Sequence, residues 1–161
     1  MQFETVKLLL SKLQELGIHT AIETNASHPR LETLFPFIEL LIMDFKHYDN
    51  EVCARVTGVG NSIIKENILK AINLHKRVLI RIPVIKGFND SASDIRNFAA
   101  FFKQQNLANT TFEILAFHEY GRIKWQQCGL PYTMQDGFVA TETIGEYEKI
   151  FTENNFRLTR T

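Results

Sequence analysis

Cysteine is scarce in this chain. Cys53 and Cys128 are the only two, and they are widely separated. A disulfide framework needs more cysteines in a smaller secreted chain, so a reducing, cytoplasmic setting is expected. Metal centres built on thiolates show closely spaced Cys and His, and this pair offers no such spacing. Charge of one sign is missing as well. Eighteen Lys and Arg balance 18 Asp and Glu, with no long run of either, which speaks against a nucleic-acid partner or an anionic membrane surface. The first ten residues place Glu4 and Lys7 among apolar neighbours. That segment is too short and too charged for a signal peptide or a membrane span. No low-complexity segment and no internal repeat is visible beyond an alternation of strands and helices.

What the chain has is apolar material. Of its 161 residues, 45% are hydrophobic and 13 are Phe, enough for one domain spanning 1–161 with a real core and too much for disorder. Periodicity predicts a helix over 3–16, stopped at Gly17, and a strand over 18–24. A short helical stretch follows Pro29 and is interrupted by Pro36. The apolar run over 39–45 has the length of a buried strand. Further on, helices are predicted over 62–74, 91–105 and 142–154, and strands over 77–85 and 110–117. Ser91 or Ser93 caps the middle helix, with Asp94 in its first turn. Phe98, Phe101 and Phe102 sit at helical spacing and read as core.

Alternating strands and helices with short connections imply an α/β fold: a parallel sheet covered by outer helices, either doubly wound or part of a barrel. The barrel is favoured because polar residues gather where strands end. Glu23, Asp44, Lys46 and His118 all fall at or just past a strand's C-terminal end, where β/α folds build ligand sites. The chain opens on a helix rather than on the strand and phosphate loop that usually begin such a domain, so the first βα units are expected to precede Met1.

Five segments carry a resemblance: GIHTAIETN at 17–25, MDFKH at 43–47, TGVGN at 57–61, IRIPVIKGFND at 80–90 and LAFHEYG at 115–121, with Lys124 and Trp125 just beyond. In this order and spacing, from the first residues to about Leu130, the chain resembles the glycyl-radical enzyme activating enzymes of the pyruvate formate-lyase type, in the radical S-adenosylmethionine superfamily. The resemblance implies the C-terminal portion of a partial radical SAM barrel, truncated at its N-terminus. It implies S-adenosylmethionine and a 4Fe–4S cluster as cofactors of the full-length enzyme. The partner would be a glycyl-radical enzyme, with a flavodoxin or ferredoxin as electron donor. In that family the cluster sits on a CxxxCxxC loop followed by a GGEP segment, and neither motif occurs in this chain. As given, the chain is expected to be inactive, with no catalytic residue and no cluster ligand of its own.

By the same resemblance the cofactor-binding residues are Glu23, Thr24, Asn25, Asp44, Lys46, Arg81, Ile82 and His118. Glu23 and Asp44 would face the methionine end and hold a monovalent cation between them. Lys46, two residues after Asp44, leaves the same strand face and would bond the ribose or the carboxylate. Arg81 and Ile82 lie along the nucleoside, and His118 stands near the adenosine. The family pattern has Gly after the Thr-Asn pair, where this chain has Ala26. Tyr120, Arg122 and Trp125 are candidates for the partner-facing rim.

Plainer readings stand beside these. Asp44 and Lys46 could form only a strand-end ion pair, although a carboxylate in an apolar strand is costly unless paired or functional. Arg81 could merely bridge to a neighbouring acid, Glu23 could be a loop acid, and His118 a structural histidine. His19 and His47 read as structural, and both cysteines as ordinary thiols. Two other functions are weighed: a natural non-catalytic protein binding a nucleoside or partner at the same rim, and an isomerase or lyase using Asp44 and Lys46 as acid and base. The latter predicts a Gly-rich phosphate loop, for which 58–60 is weak.

Overall fold

The computed structural model describes residues 2–134 and 136–160. Eleven elements follow one another: α1 (Phe3–Glu15), β1 (Ala21–Thr24), a 3₁₀ helix (Leu31–Phe37), β2 (Leu40–Asp44), α2 (Asn50–Thr57), α3 (Ser62–Leu74), β3 (Val78–Val84), α4 (Ala92–Lys103), β4 (Thr110–Ala116), α5 (Arg122–Gln127) and α6 (Thr141–Glu153). Gly17, at φ +68°, ends α1 as its sequence position suggested. Ser91 is the cap of α4, and with Asp94 it forms a reciprocal capping box. Pro36 lies inside the 3₁₀ helix rather than interrupting a helical stretch. The short helices α2 and α5 had not been anticipated. Gly58, at φ +79°, closes α2, so the 58–60 stretch belongs to a helix end.

The four strands are all parallel and lie in the order of the sequence, β1-β2-β3-β4. A doubly wound sheet reverses strand order and carries helices on both faces. Here each strand pairs with its predecessor and the core forms on one face only, which is the geometry of an arc of a β/α barrel. After α6, Leu158 forms a parallel bridge to Phe112 and continues the sequence order past β4.

Strand alternation explains the one-sided core. The apolar cluster takes Leu41, Met43 and Phe45 from β2 and the residue after it, Val78, Ile80, Ile82 and Val84 from β3, and Phe112 from β4. Onto these pack Ile68, Ala71 and Ile72 of α3, Phe98 and Phe102 of α4, and Tyr147 and Phe151 of α6. Phe98 and Phe102 are fully buried and Phe101 half-buried, in accord with their reading as core. Each buried aromatic contributes about 1.5–3 kcal/mol by leaving water. The other face carries Glu23, Ile42, Asp44, Leu79, Arg81, Pro83, Thr111, Glu113 and Leu115, as the strand register requires. No described helix is long and apolar enough to cross a membrane.

Candidate functional site

The open face gathers charge at its upper half. Register sets Glu23 beside Ile42, Asp44 beside Arg81, and Arg81 beside Glu113. Arg81 is the hub. Its Nη1 lies 2.8 Å from Glu23 Oε2, and its Nε donates to Glu113 Oε2 at 2.7 Å. Glu113 is only 3% exposed, whereas Glu23 is 60% exposed. Burial alone would lower the Arg81 pKa, but the Glu113 hydrogen bond and the charges of Glu23 and Glu113 raise it. Arg81 thus does bridge to neighbouring acids, and it does so on the face that also presents Asp44.

Asp44 is half-buried, and among the described residues no hydrogen bond or ion pair reaches its carboxylate. The strand-end ion pair with Lys46, the plainer alternative, is not formed. Burial pushes the Asp44 pKa up, and Glu23 pushes it further; Lys46 and Arg81 act in the opposite direction. The face therefore holds three acids against two cations, with one carboxylate left for a cationic ligand or ion. Glu23 and Asp44 are near enough to sense each other, although Glu23 is also bonded to Arg81.

The remaining sequence-derived residues are placed differently. Thr24 is half-buried and by register lies on the covered side; its hydroxyl accepts from Ala26 N–H at 3.1 Å. Asn25 Oδ1 accepts from the Ser27 N–H and hydroxyl, making the turn after β1. Ala26 takes the left-handed conformation at φ +58° where the family pattern has glycine, and its methyl is fully buried. Ile82 has its side chain fully buried in the helix-covered core, because alternation turns it away from Arg81. It can meet a ligand on the open face only through its main chain.

His118 stands past the end of β4, exposed, with its ring stacked on Tyr120 at 4.3 Å. Its ring contact and hydrogen bond are both local, to Tyr120. It borders a groove of about 500 Å³ also lined by Val56, Arg122, Trp125, Tyr132 and Met134. Arg122 bonds Glu119 at 3.3 Å and lies over the Tyr132 ring, which Trp125 meets edge-on. His19 is exposed, and His47 is buried with its Nε2 3.1 Å from the Phe88 carbonyl.

Cys53 is buried on α2 and Cys128 exposed after α5. Among the described residues no three His, Cys, Asp or Glu side chains converge on a metal position, and the chain's two cysteines do not fit an iron–sulfur cluster. Sequence reasoning had overlooked Glu113. The signal was present, since a carboxylate in the middle of an apolar strand needs a partner or a function, and that argument had been applied to Asp44 alone.

Fold and site together define a β/α barrel arc whose open face carries one charged side chain from each of its four strands. The chain is 38% identical over 159 residues to the 4-hydroxyphenylacetate decarboxylase activating enzyme of Clostridioides difficile, a match covering 96% of this chain and 50% of that protein. It is 28% identical over 144 residues to the pyruvate formate-lyase-activating enzyme of Staphylococcus aureus, covering 84% and 57% respectively. A crystallised domain of a pyruvate formate-lyase-activating enzyme from Bacteroides vulgatus has the same fold, with a TM-score of 0.79 at 23% identity over 97% of this chain and 89% of that one. No family model matches the chain. The chain is homologous to the activating enzymes of glycyl-radical enzymes, and its fold is a partial radical SAM barrel. It spans about half the length of the curated relatives it matches.

Proposed function

We propose that this chain is the cofactor-wall and partner-docking portion of a radical S-adenosylmethionine activase that installs a glycyl radical on a partner enzyme. The observation that carries the reading is the open sheet face, where Asp44 stands half-buried without a bonded partner beside the Glu23–Arg81–Glu113 chain. A ligand with an ammonium, a sulfonium and a carboxylate suits such a face. Asp44 and Glu23 would hold the cationic end, directly or through a monovalent cation. Lys46 and Arg81 would take the carboxylate or a ribose hydroxyl. The main chain at Ile82 would lie along the nucleoside, His118 would border the adenosine, and Thr24 with Asn25 would shape the turn that presents Glu23. When bound with a reduced 4Fe–4S cluster, S-adenosylmethionine supplies the hydrogen-abstracting radical chemistry.

With two cysteines in its whole length, the chain by itself would neither hold the cluster nor react, and its own affinity for S-adenosylmethionine would be poor. The cluster ligands would come from polypeptide outside these 161 residues. A flavodoxin or ferredoxin would deliver the electron in the cytoplasm, and Tyr120, Arg122 and Trp125 would meet the glycyl-radical enzyme. The greater identity to the C. difficile relative makes 4-hydroxyphenylacetate decarboxylase the first partner to try.

The test joins this chain to the half of the C. difficile relative that it does not match, followed by anaerobic cluster reconstitution with reductant and S-adenosylmethionine. A glycyl-radical doublet on the decarboxylase is expected by electron paramagnetic resonance, reduced about tenfold or more by Asp44→Ala. The chain alone should give none. A fusion that takes up its cluster yet yields a doublet indifferent to Asp44→Ala would overturn the site assignment. No doublet on any glycyl-radical enzyme would leave a non-catalytic binding protein as the better reading.

A further inference from the structure

The ladder between β2 and β3 ends for a chemical reason. Phe45 N–H donates to the Arg81 carbonyl at 2.8 Å. The next rung of a parallel ladder would run from the N–H of residue 83 to the Phe45 carbonyl, but residue 83 is proline and has no N–H to give. Beyond this point the strands part, and a side chain takes over. Asn89, fully buried, donates its Nδ2 to the Pro83 carbonyl and to the Lys46 carbonyl, each at 2.8 Å. Its Oδ1 accepts from Ile85 N–H at 2.7 Å. One amide therefore closes the turn after β3 and ties it to Lys46, the second residue past the end of β2.

Asn89 is itself held. Tyr147 of α6, fully buried, donates its hydroxyl to the Asn89 carbonyl at 2.5 Å. Burial raises the Tyr147 pKa far above its ordinary value, so the hydroxyl stays a donor. A second buried amide, Asn61, donates to the carbonyl of His47. Main-chain positions 46 and 47 are thus fixed from below by two buried side chains. The Lys46 side chain, by contrast, is half-buried and has no hydrogen bond or ion pair among the described residues. A fixed backbone under an unengaged charged side chain is how a site preorganises a ligand group.

We propose that Asn89, anchored by Tyr147, is a positioning residue that sets where the Lys46 ammonium stands relative to Asp44 at the rim. The inference rests on the reading of Lys46 as a cofactor-facing group, but its geometry can be tested without cofactor. A bland structural role is the competing account. Asn109 provides the control, because its Nδ2 likewise donates two hydrogen bonds, to the Ile72 and His75 carbonyls at the opposite ends of the strands.

The experiment is competitive acylation of the purified 161-residue chain with a limiting amine-reactive ester, followed by peptide mass spectrometry. The rate at Lys46 is read against the exposed Lys103 and Lys124. Asn89→Ala should raise the relative Lys46 rate several-fold. Asn89→Asp retains the acceptor for Ile85 N–H but loses both donations, and it should do the same. Tyr147→Phe should act in the same direction more weakly, while Asn109→Ala should leave the ratio unchanged. An unchanged Lys46 ratio in folded Asn89→Asp or Tyr147→Phe protein overturns the proposal, as does an equal rise in Asn109→Ala. Protection of Lys46 by S-adenosylmethionine in the reconstituted fusion reports on the functional reading separately. Loss of that protection with the Asn89 effect intact would retire the cofactor assignment and keep the positioning role.

Discussion

The two faces of the same four strands are built to opposite rules. On the covered face, Met43, Ile80, Ile82 and Phe112 are sealed beneath helices at 0% exposure. On the open face, one residue away along each strand, stand Asp44, Arg81, Pro83 and Glu113. Fully parallel sheets are ordinarily covered on both sides and read as continuous apolar runs. Here charge interrupts the open face, with Glu23 and Asp44 near the C-terminal ends of their strands and Arg81 and Glu113 at the middle of theirs. The difference teaches that apolar burial is concentrated on one face and charge on the other, so a substitution's effect should depend on which way its strand position points.

The largest expected effect breaks the covered face. Phe112 meets Phe102, Phe156 and Phe151 at ring separations of 4.8, 5.3 and 5.4 Å. Phe112→Ala should cost about 3–5 kcal/mol, read as a lowered midpoint in equilibrium urea unfolding. The next effect crosses the division. Glu113 lies on the open face yet is almost completely buried, so Arg81→Ala takes a guanidinium partner from a desolvated carboxylate and should cost about 3 kcal/mol. The double replacement Arg81→Met with Glu113→Leu should recover most of that loss, because an apolar pair of similar volume replaces a desolvated one. If Arg81→Ala proves neutral, the Arg81–Glu113 contact adds nothing net to the fold.

Much of the division was readable beforehand. The strands predicted over 77–85 and 110–117 run Val78–Val84 and Thr110–Ala116, because their branched and aromatic residues leave little competition from a helix. The first strand shortens to Ala21–Thr24, with Ile18 exposed and the Thr20 carbonyl accepting from both Glu39 and Leu40 N–H at the start of the ladder. Helix α2 escaped notice because its segment, Asn50–Thr57, is short, half polar and buries only Cys53. Choosing between a doubly wound sheet and a barrel needed strand order, which periodicity does not encode. Asp44 and Arg81 could be found from charge in apolar strands, and Glu113 by the same rule. Asn89 could not, because an Asn before Asp in a turn reads as turn chemistry, and its bond to Lys46 spans strands.

A smaller effect, opposite in sign, sharpens the comparison. Between the ordinary carboxylate value of 3.8 and the raised value that burial gives Asp44, the folded chain binds the proton more tightly than the unfolded one. Stability therefore falls as pH rises through that window, and the ionised carboxylate remains a net cost at neutral pH. Asp44→Asn should raise stability at neutral pH by about 1 kcal/mol or less, because it removes a partly desolvated charge. The gain should disappear below pH 3.8, where both states are protonated. Urea titrations at neutral and acid pH measure it, and a destabilised Asp44→Asn would mean the carboxylate serves the fold.

The smallest effect lies where the faces meet, at the turn after β1. Ala26 holds φ +58°, which costs an L-residue about 1–2 kcal/mol. Its methyl is fully buried, and removing it forfeits about 0.8 kcal/mol of burial. Glycine also gains freedom in the unfolded chain, worth about 0.4–1 kcal/mol. These terms nearly cancel, so Ala26→Gly should lie within about 1 kcal/mol of neutral by urea unfolding. Gly58→Ala isolates the backbone term, since φ is +79° there and no atom lies within 4 Å of an added Cβ; it should cost about 1 kcal/mol. A large loss in Ala26→Gly alone would show that the turn presenting Glu23 is held by packing under the helices rather than by its dihedral angle, and the covered face would then set the geometry of the open one.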